Sequence, residues 1–120
     1  PGSQDYPSPA MSWLYPDRGD FIAVVGRMQD INAVRQVKAA LLSSRDLSVY
    51  SMNAPGFIPG IDFSDHLNYW QHDIPAVMIT DTAFYRNKQY HLPGDIADRL
   101  NYQKMAQVVD GVTTLLYNSK

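Results

Sequence analysis

Three histidines, His66, His72 and His91, and twelve acidic residues carry most of the chemistry available to this 120-residue chain. Cysteine is absent and every acidic residue is aspartate, so a bound metal would need imidazole and aspartate ligands. The polar side chains are concentrated in one place. Asp81, Thr82, Tyr85, Arg86, Tyr90, His91 and Asp95 follow the apolar run Pro75-Ala76-Val77-Met78-Ile79-Thr80. A polar loop leaving the carboxyl end of a strand is where open α/β sheets commonly build sites. The plain alternatives are that His91 is an ordinary loop histidine, that Asp81 and Thr82 hold a turn, and that Arg86 serves a structural ion pair. His66 fits a packing or hydrogen-bonding role on a short helix, His72 fits solvent, and Asp65 could cap that helix.

A set of short words in fixed order goes further. Ser64-Asp65-His66, Pro75-Ala76-Val77-Met78, Thr80-Asp81-Thr82-Ala83-Phe84-Tyr85-Arg86-Asn87, and Tyr90-His91 with Asp95 succeed one another. From about Ser3 to Val112 the chain resembles the C-terminal part of the bacterial leucyl aminopeptidase-like zinc exopeptidases, relatives of glutaminyl cyclases and glutamate carboxypeptidases. The resemblance implies a three-layer αβα domain that hydrolyses peptide or aminoacyl substrates with two zinc ions. It places His91 as the final metal-binding histidine, a role neutral imidazole suits. It sets Asp65 behind the ligands, where a carboxylate orients them, with Asp95 supporting the loop and Arg86 and Tyr90 lining the substrate pocket.

The chain departs from that pattern in two ways. No His-x-Asp word occurs, and there is no glutamate to act as general base. One histidine cannot hold a zinc ion that takes three or four protein ligands. The expectation is a fragment of a zinc exopeptidase that is inactive alone. Two other readings stay open: a non-catalytic binding or assembly domain of the same fold, as in transferrin-receptor-like relatives, and an unrelated small α/β binding module.

The elements that must position these residues follow from apolar periodicity. Prolines 1, 7, 9 and 16 with Gly2 and Gly19 make residues 1 to 19 extended. Trp13, Leu14 and Tyr15 are expected to tack that segment to a surface. Phe21 to Val25, closed by Gly26, reads as a strand buried on both faces. Asp30 is the expected N-cap of a helix over 31 to 44, with an apolar stripe of Ile31, Val34, Val37, Ala40 and Leu41. A short strand follows near Leu47 to Met52, then a loop from Asn53 to Phe63. A short helix capped by the Ser64 side chain comes next, then a second buried strand over 75 to 80 and the long loop 81 to 95. A final helix spans about Asn101 to Tyr117. This order implies a mostly parallel or mixed sheet flanked by helices. Three strands leave sheet edges unpaired, which suggests further strands elsewhere or self-association through those edges.

Bulk properties narrow the classes. A net charge of -2 gives no basic excess for nucleic acid, and no apolar run is long enough to span a membrane. With 45% hydrophobic and 18% charged residues, a packed core is expected. The opening Pro-Gly-Ser-Gln-Asp-Tyr-Pro shows neither an initiating Met nor a signal peptide and reads as the middle of a longer or trimmed chain. The compartment stays open, although relatives in the resembled family are often exported.

Overall fold

The computed structural model describes residues 2–55 and 58–119. Pro1 of the expected extended segment and Gly56 and Phe57 of the expected 53 to 63 loop therefore lie outside the described residues. The central strand is β1, Phe21–Gly26. Its side chains alternate between two covered faces. Ile22 and Val24 belong to one apolar cluster, and Ala23 and Val25 to another. Val24 is fully buried and Val25 nearly so, which is why the strand reads as apolar throughout.

β2, Ser48–Asn53, runs parallel to β1, with Ile22 opposite Val49 and Val25 opposite Met52. β3, Met78–Thr80, runs antiparallel to it, with Ala23 opposite Thr80 and Val25 opposite Met78. The sheet is thus mixed, in the order β2-β1-β3. β3 corrects the expected buried strand over 75 to 80. It has three residues, all half-exposed, on a sheet edge. Pro75 has no N–H to give to a ladder, and proline is tolerated only at strand ends and edges.

α1, Met11–Leu14, is a single turn inside the proline-rich segment. It turns Trp13 and Leu14 outward, leaving them 88% and 76% exposed, against the expectation that they dock. Tyr15 alone does so. Its hydroxyl donates to the Ser51 carbonyl at 3.1 Å, and its ring meets Tyr6 and Tyr50.

α2, Ile31–Leu42, covers β1 and β2 with Val34, Val37 and Leu41, while Ile31, at the head of the expected stripe, remains exposed. Asp30 sits at the N-cap position but makes no capping bond. A 3-10 turn over Met28–Asp30 carries its carboxylate onto Arg27, with Nε–Oδ2 at 2.6 Å and Nη2–Oδ1 at 3.1 Å. This two-pronged ion pair raises the Arg27 pKa, chiefly through the Asp30 hydrogen bond. Arg27 also reaches the Trp70 carbonyl and Asp73, tying the end of β1 to α3, His66–Gln71. The Ser64 side chain does not cap α3; its backbone carbonyl accepts from Leu67 N–H instead.

α4, Tyr102–Asn118, begins where Asn101 Oδ1 accepts the Lys104 backbone N–H at 3.0 Å, a side-chain N-cap. It packs beside α2 through Val108, Val112 and Leu115. Gly111 permits the contact, because a Cβ there would stand 2.8 Å from the Leu41 Cα. Part of the apolar face faces outward: Met105, Val109 and Leu116 are 46%, 62% and 65% exposed. Two helices therefore cover one face of the sheet. The other face carries α3 and, among the described residues, loop segments and Met11 of α1. No helix among the described residues is long and apolar enough to cross a membrane.

Candidate functional site

The loop after β3 is shaped by short polar bonds. Thr82 N–H donates to Thr80 Oγ1 at 3.0 Å, and Ala83 N–H donates to Asp81 Oδ1 at 2.9 Å. Asp81 and Thr80 thus hold a turn. Thr82 and Ala83 both have left-handed backbones, with φ of 75° and 47°. A β-branched residue avoids that region, and such a conformation costs about 1–3 kcal/mol unless its surroundings hold it.

The direction of β3 changes the argument for a site. Thr80 lies opposite Ala23, so the carboxyl end of β3 sits beside the amino end of β1. The loop therefore does not begin at the carboxyl ends of the two parallel strands, as the generic α/β argument expected. It runs back over the sheet face instead. A 3-10 turn, Ala83–Tyr85, sets Phe84 against Phe63, and the Tyr85 hydroxyl donates to the Pro59 carbonyl at 3.2 Å. Residues 59 to 63 follow β2, so the loop reaches the segment beyond the carboxyl end of that strand.

Under this bridge lies a cavity of about 390 Å³. Its floor is the open sheet face, Phe21, Ala23, Val25, Tyr50, Met52 and Met78, and its walls include Phe63, Phe84, Tyr85 and Tyr90. Tyr6 and Tyr15 close one end. Burial raises the pKa of Tyr6, Tyr15 and Tyr85 above the ordinary 10.0. A raised phenol pKa stabilises the fold fully below the unfolded value and loses that contribution as pH rises through the folded one. Thermal melts of the full-length protein are therefore expected to fall as pH climbs past 10, and to fall less steeply in the Tyr15→Phe variant. An equal alkaline decline in that variant would contradict the assignment for Tyr15.

The residues singled out in the sequence separate into groups. Tyr90 lines the cavity, and its ring stacks on His91 with centroids 3.9 Å apart. His91 is exposed, with φ of 59°, and is not itself among the residues lining the cavity. Asp95 braces that stretch: Oδ2 accepts the His91 backbone N–H at 3.3 Å, and Oδ1 accepts from Asn87 Nδ2 at 2.7 Å.

Arg86 does not line the cavity. It turns toward a hollow of about 530 Å³ beside α4, donates to the Phe21 carbonyl at 2.8 Å, and lies over the Phe21 ring. Burial lowers its pKa. Its Nε and Nη1 are held by Gln4 and Phe21, while its buried Nη2 has no hydrogen-bond partner among the described residues.

Asp65 is exposed at the head of α3 and makes no capping bond, and none of the described contacts joins it to His91. His66 is buried. Its Nε2 is 2.6 Å from the Ile61 carbonyl, and its ring meets Trp70 edge-on. That is the packing role expected of it. His72 is exposed.

No group of three or more His, Asp or Glu side chains among the described residues could hold a metal ion. Asp95, the acid bonded to His91, engages its backbone rather than its ring. The described residues do not by themselves fit a zinc site.

Sequence reasoning missed Gln4. It is 5% exposed, and its side-chain amide meets both Thr82 Oγ1 and Arg86 Nε. Its only signal was a polar residue in a proline-rich stretch.

Over all 120 residues the chain is 93% identical to uncharacterized protein YfbL of Escherichia coli (strain K12), and it spans 37% of that protein's length. No family profile and no solved structure matches the chain.

Proposed function

We propose that this chain is the C-terminal part of a zinc exopeptidase-like hydrolase domain and supplies one wall of its substrate cleft. The observation that carries the reading is the pairing of His91 and Tyr90. A left-handed backbone, braced by Asp95, presents an exposed His91 whose ring stacks on Tyr90, and Tyr90 lines the aromatic cavity. The ordered words around Asp65, Thr80 to Asn87 and Tyr90-His91 agree with it. So does the length: with 37% of its relative spanned, the remaining ligands and the general base would come from the rest of the polypeptide.

In this reading the cavity receives an apolar or aromatic part of a peptide or aminoacyl substrate, and His91 is one metal ligand among several. Within these 120 residues the side chains bind and orient; none of them is the general base. The edges of β2 and β3 and the outward stripe of α4 are where the rest of the polypeptide would pack.

The test is steady-state hydrolysis of aminoacyl p-nitroanilides with added zinc. The full-length protein is expected to turn them over, and residues 1 to 120 alone are not. Turnover by the pure 120-residue chain would overturn the half-site reading. A full-length protein inert toward apolar, acidic and basic aminoacyl groups would favour the non-catalytic domain of the same fold.

A further inference from the structure

The N-terminal segment makes a set of contacts that the hydrolase reading does not use. Residues 3 to 5 lie against the loop after β3. Asp5 N–H donates to the Tyr85 carbonyl at 2.8 Å, and the Asp5 carboxylate pairs with Lys88. Behind them, Ser3 and Gln4 donate their backbone N–H groups to the Asp17 carbonyl, anchoring the segment to its own return. At the centre is the buried side chain of Gln4. Its Nε2 donates to Thr82 Oγ1 at 2.9 Å and to the Asp5 carbonyl at 2.9 Å, while its Oε1 accepts from Thr82 Oγ1 and Arg86 Nε, each at 3.0 Å.

The position of these bonds is telling. Thr82 is the β-branched residue forced into the left-handed region at the point where the loop turns back over the sheet. A β-branched side chain disfavours that backbone; Thr80 and Asp81 brace it from within the turn, and Gln4 adds a buried side chain that reaches it from a distant segment. Gln4 grips its hydroxyl through both atoms of the amide. The same oxygen fixes Arg86, four residues on, where the loop passes β1.

We propose that Gln4 is the positioning residue of the His91 loop: its buried amide locks the left-handed Thr82 turn and thereby sets Tyr90 in the cavity lining, with His91 stacked on it. What the loop is positioned for rests on the hydrolase reading; the lock itself does not.

Hydrogen exchange read by mass spectrometry on the full-length protein tests it. In Gln4→Ala, the amides of 83–91 are expected to exchange about tenfold faster or more, while β1 and α4 keep their protection. Gln4→Glu should recover much of the protection, because a carboxylate still accepts from Arg86 and from the Thr82 hydroxyl. In the double variant Gln4→Ala/Thr82→Gly, glycine adopts the left-handed turn without strain, so protection should return toward the wild-type level.

Unchanged loop exchange in Gln4→Ala would overturn the proposal. So would equal loosening of β1 and α4, which would mark general destabilisation, or a double variant looser than the single one. If the full-length protein turns over aminoacyl substrates, Gln4→Ala should lower kcat more than it alters KM, and Gln4→Glu should restore it. An inactive wild type with the expected exchange pattern would sink the hydrolase reading and leave the lock standing.

Discussion

His91→Ala in the full-length protein is expected to lower kcat/KM toward aminoacyl substrates by at least about a hundredfold, since changes even to groups behind metal ligands cost 10–100-fold. Stability should barely move. His91 is exposed, and alanine would occupy the same left-handed backbone that histidine already occupies, so no new backbone strain is introduced. Its φ of 59° offers a sharper control. Glycine adopts that backbone freely, so His91→Gly should be at least as stable as His91→Ala and equally inactive. A folded His91→Gly protein with wild-type turnover would remove His91 from the site. Asp95→Asn should have a smaller effect, because an amide oxygen can still accept the His91 backbone N–H while the bond from Asn87 is weakened.

Leu41→Ala is expected to be the most damaging single truncation of the helical layer, at about 2–5 kcal/mol. Leu41 is fully buried, belongs to the cluster formed with Val24, Val34 and Val37, and lies under Gly111 of α4. The backbones of α2 and α4 approach closely at that glycine, so the helices have little freedom to collapse into the space a lost side chain leaves. Chemical denaturation with the far-ultraviolet circular dichroism signal reads the change. A loss under 1 kcal/mol would mean that the α2–α4 contact is not a tight one.

Much of the scaffold was legible because it is written locally. The apolar run 21 to 25, the stripe Val34-Val37-Leu41, and the start of α4 at Asn101 all follow from periodicity and capping chemistry. What was not legible depends on partners distant in sequence. The antiparallel direction of β3 is decided by pairing between Ala23 and Thr80, and it relocates the loop that the site argument started from. Asp30 and Ser64 have the right residue types for caps, yet Arg27 takes the Asp30 carboxylate and α3 starts two residues later than Ser64. Trp13 and Leu14 look like anchors in sequence but sit on a one-turn helix that faces outward.

The candidate site divides in the same way. Tyr90, His91 and Asp95 were singled out from a local word, and they contact one another, with Tyr90 in the cavity lining. Arg86 belongs to that word too, but Gln4 and Phe21 claim it from 82 and 65 positions away. Gln4 and Thr82 are 78 positions apart, and no local pattern announces such a bond.

In the proposed hydrolase reading, His91 completes a metal site whose other ligands lie outside these 120 residues. Native mass spectrometry of zinc-loaded protein, with full-length wild type, full-length His91→Ala and residues 1 to 120 side by side, tests it most directly. Zinc retained by the wild type, reduced in His91→Ala and absent from the 120-residue chain is the expected result. Equal zinc retention by wild type and His91→Ala would contradict it.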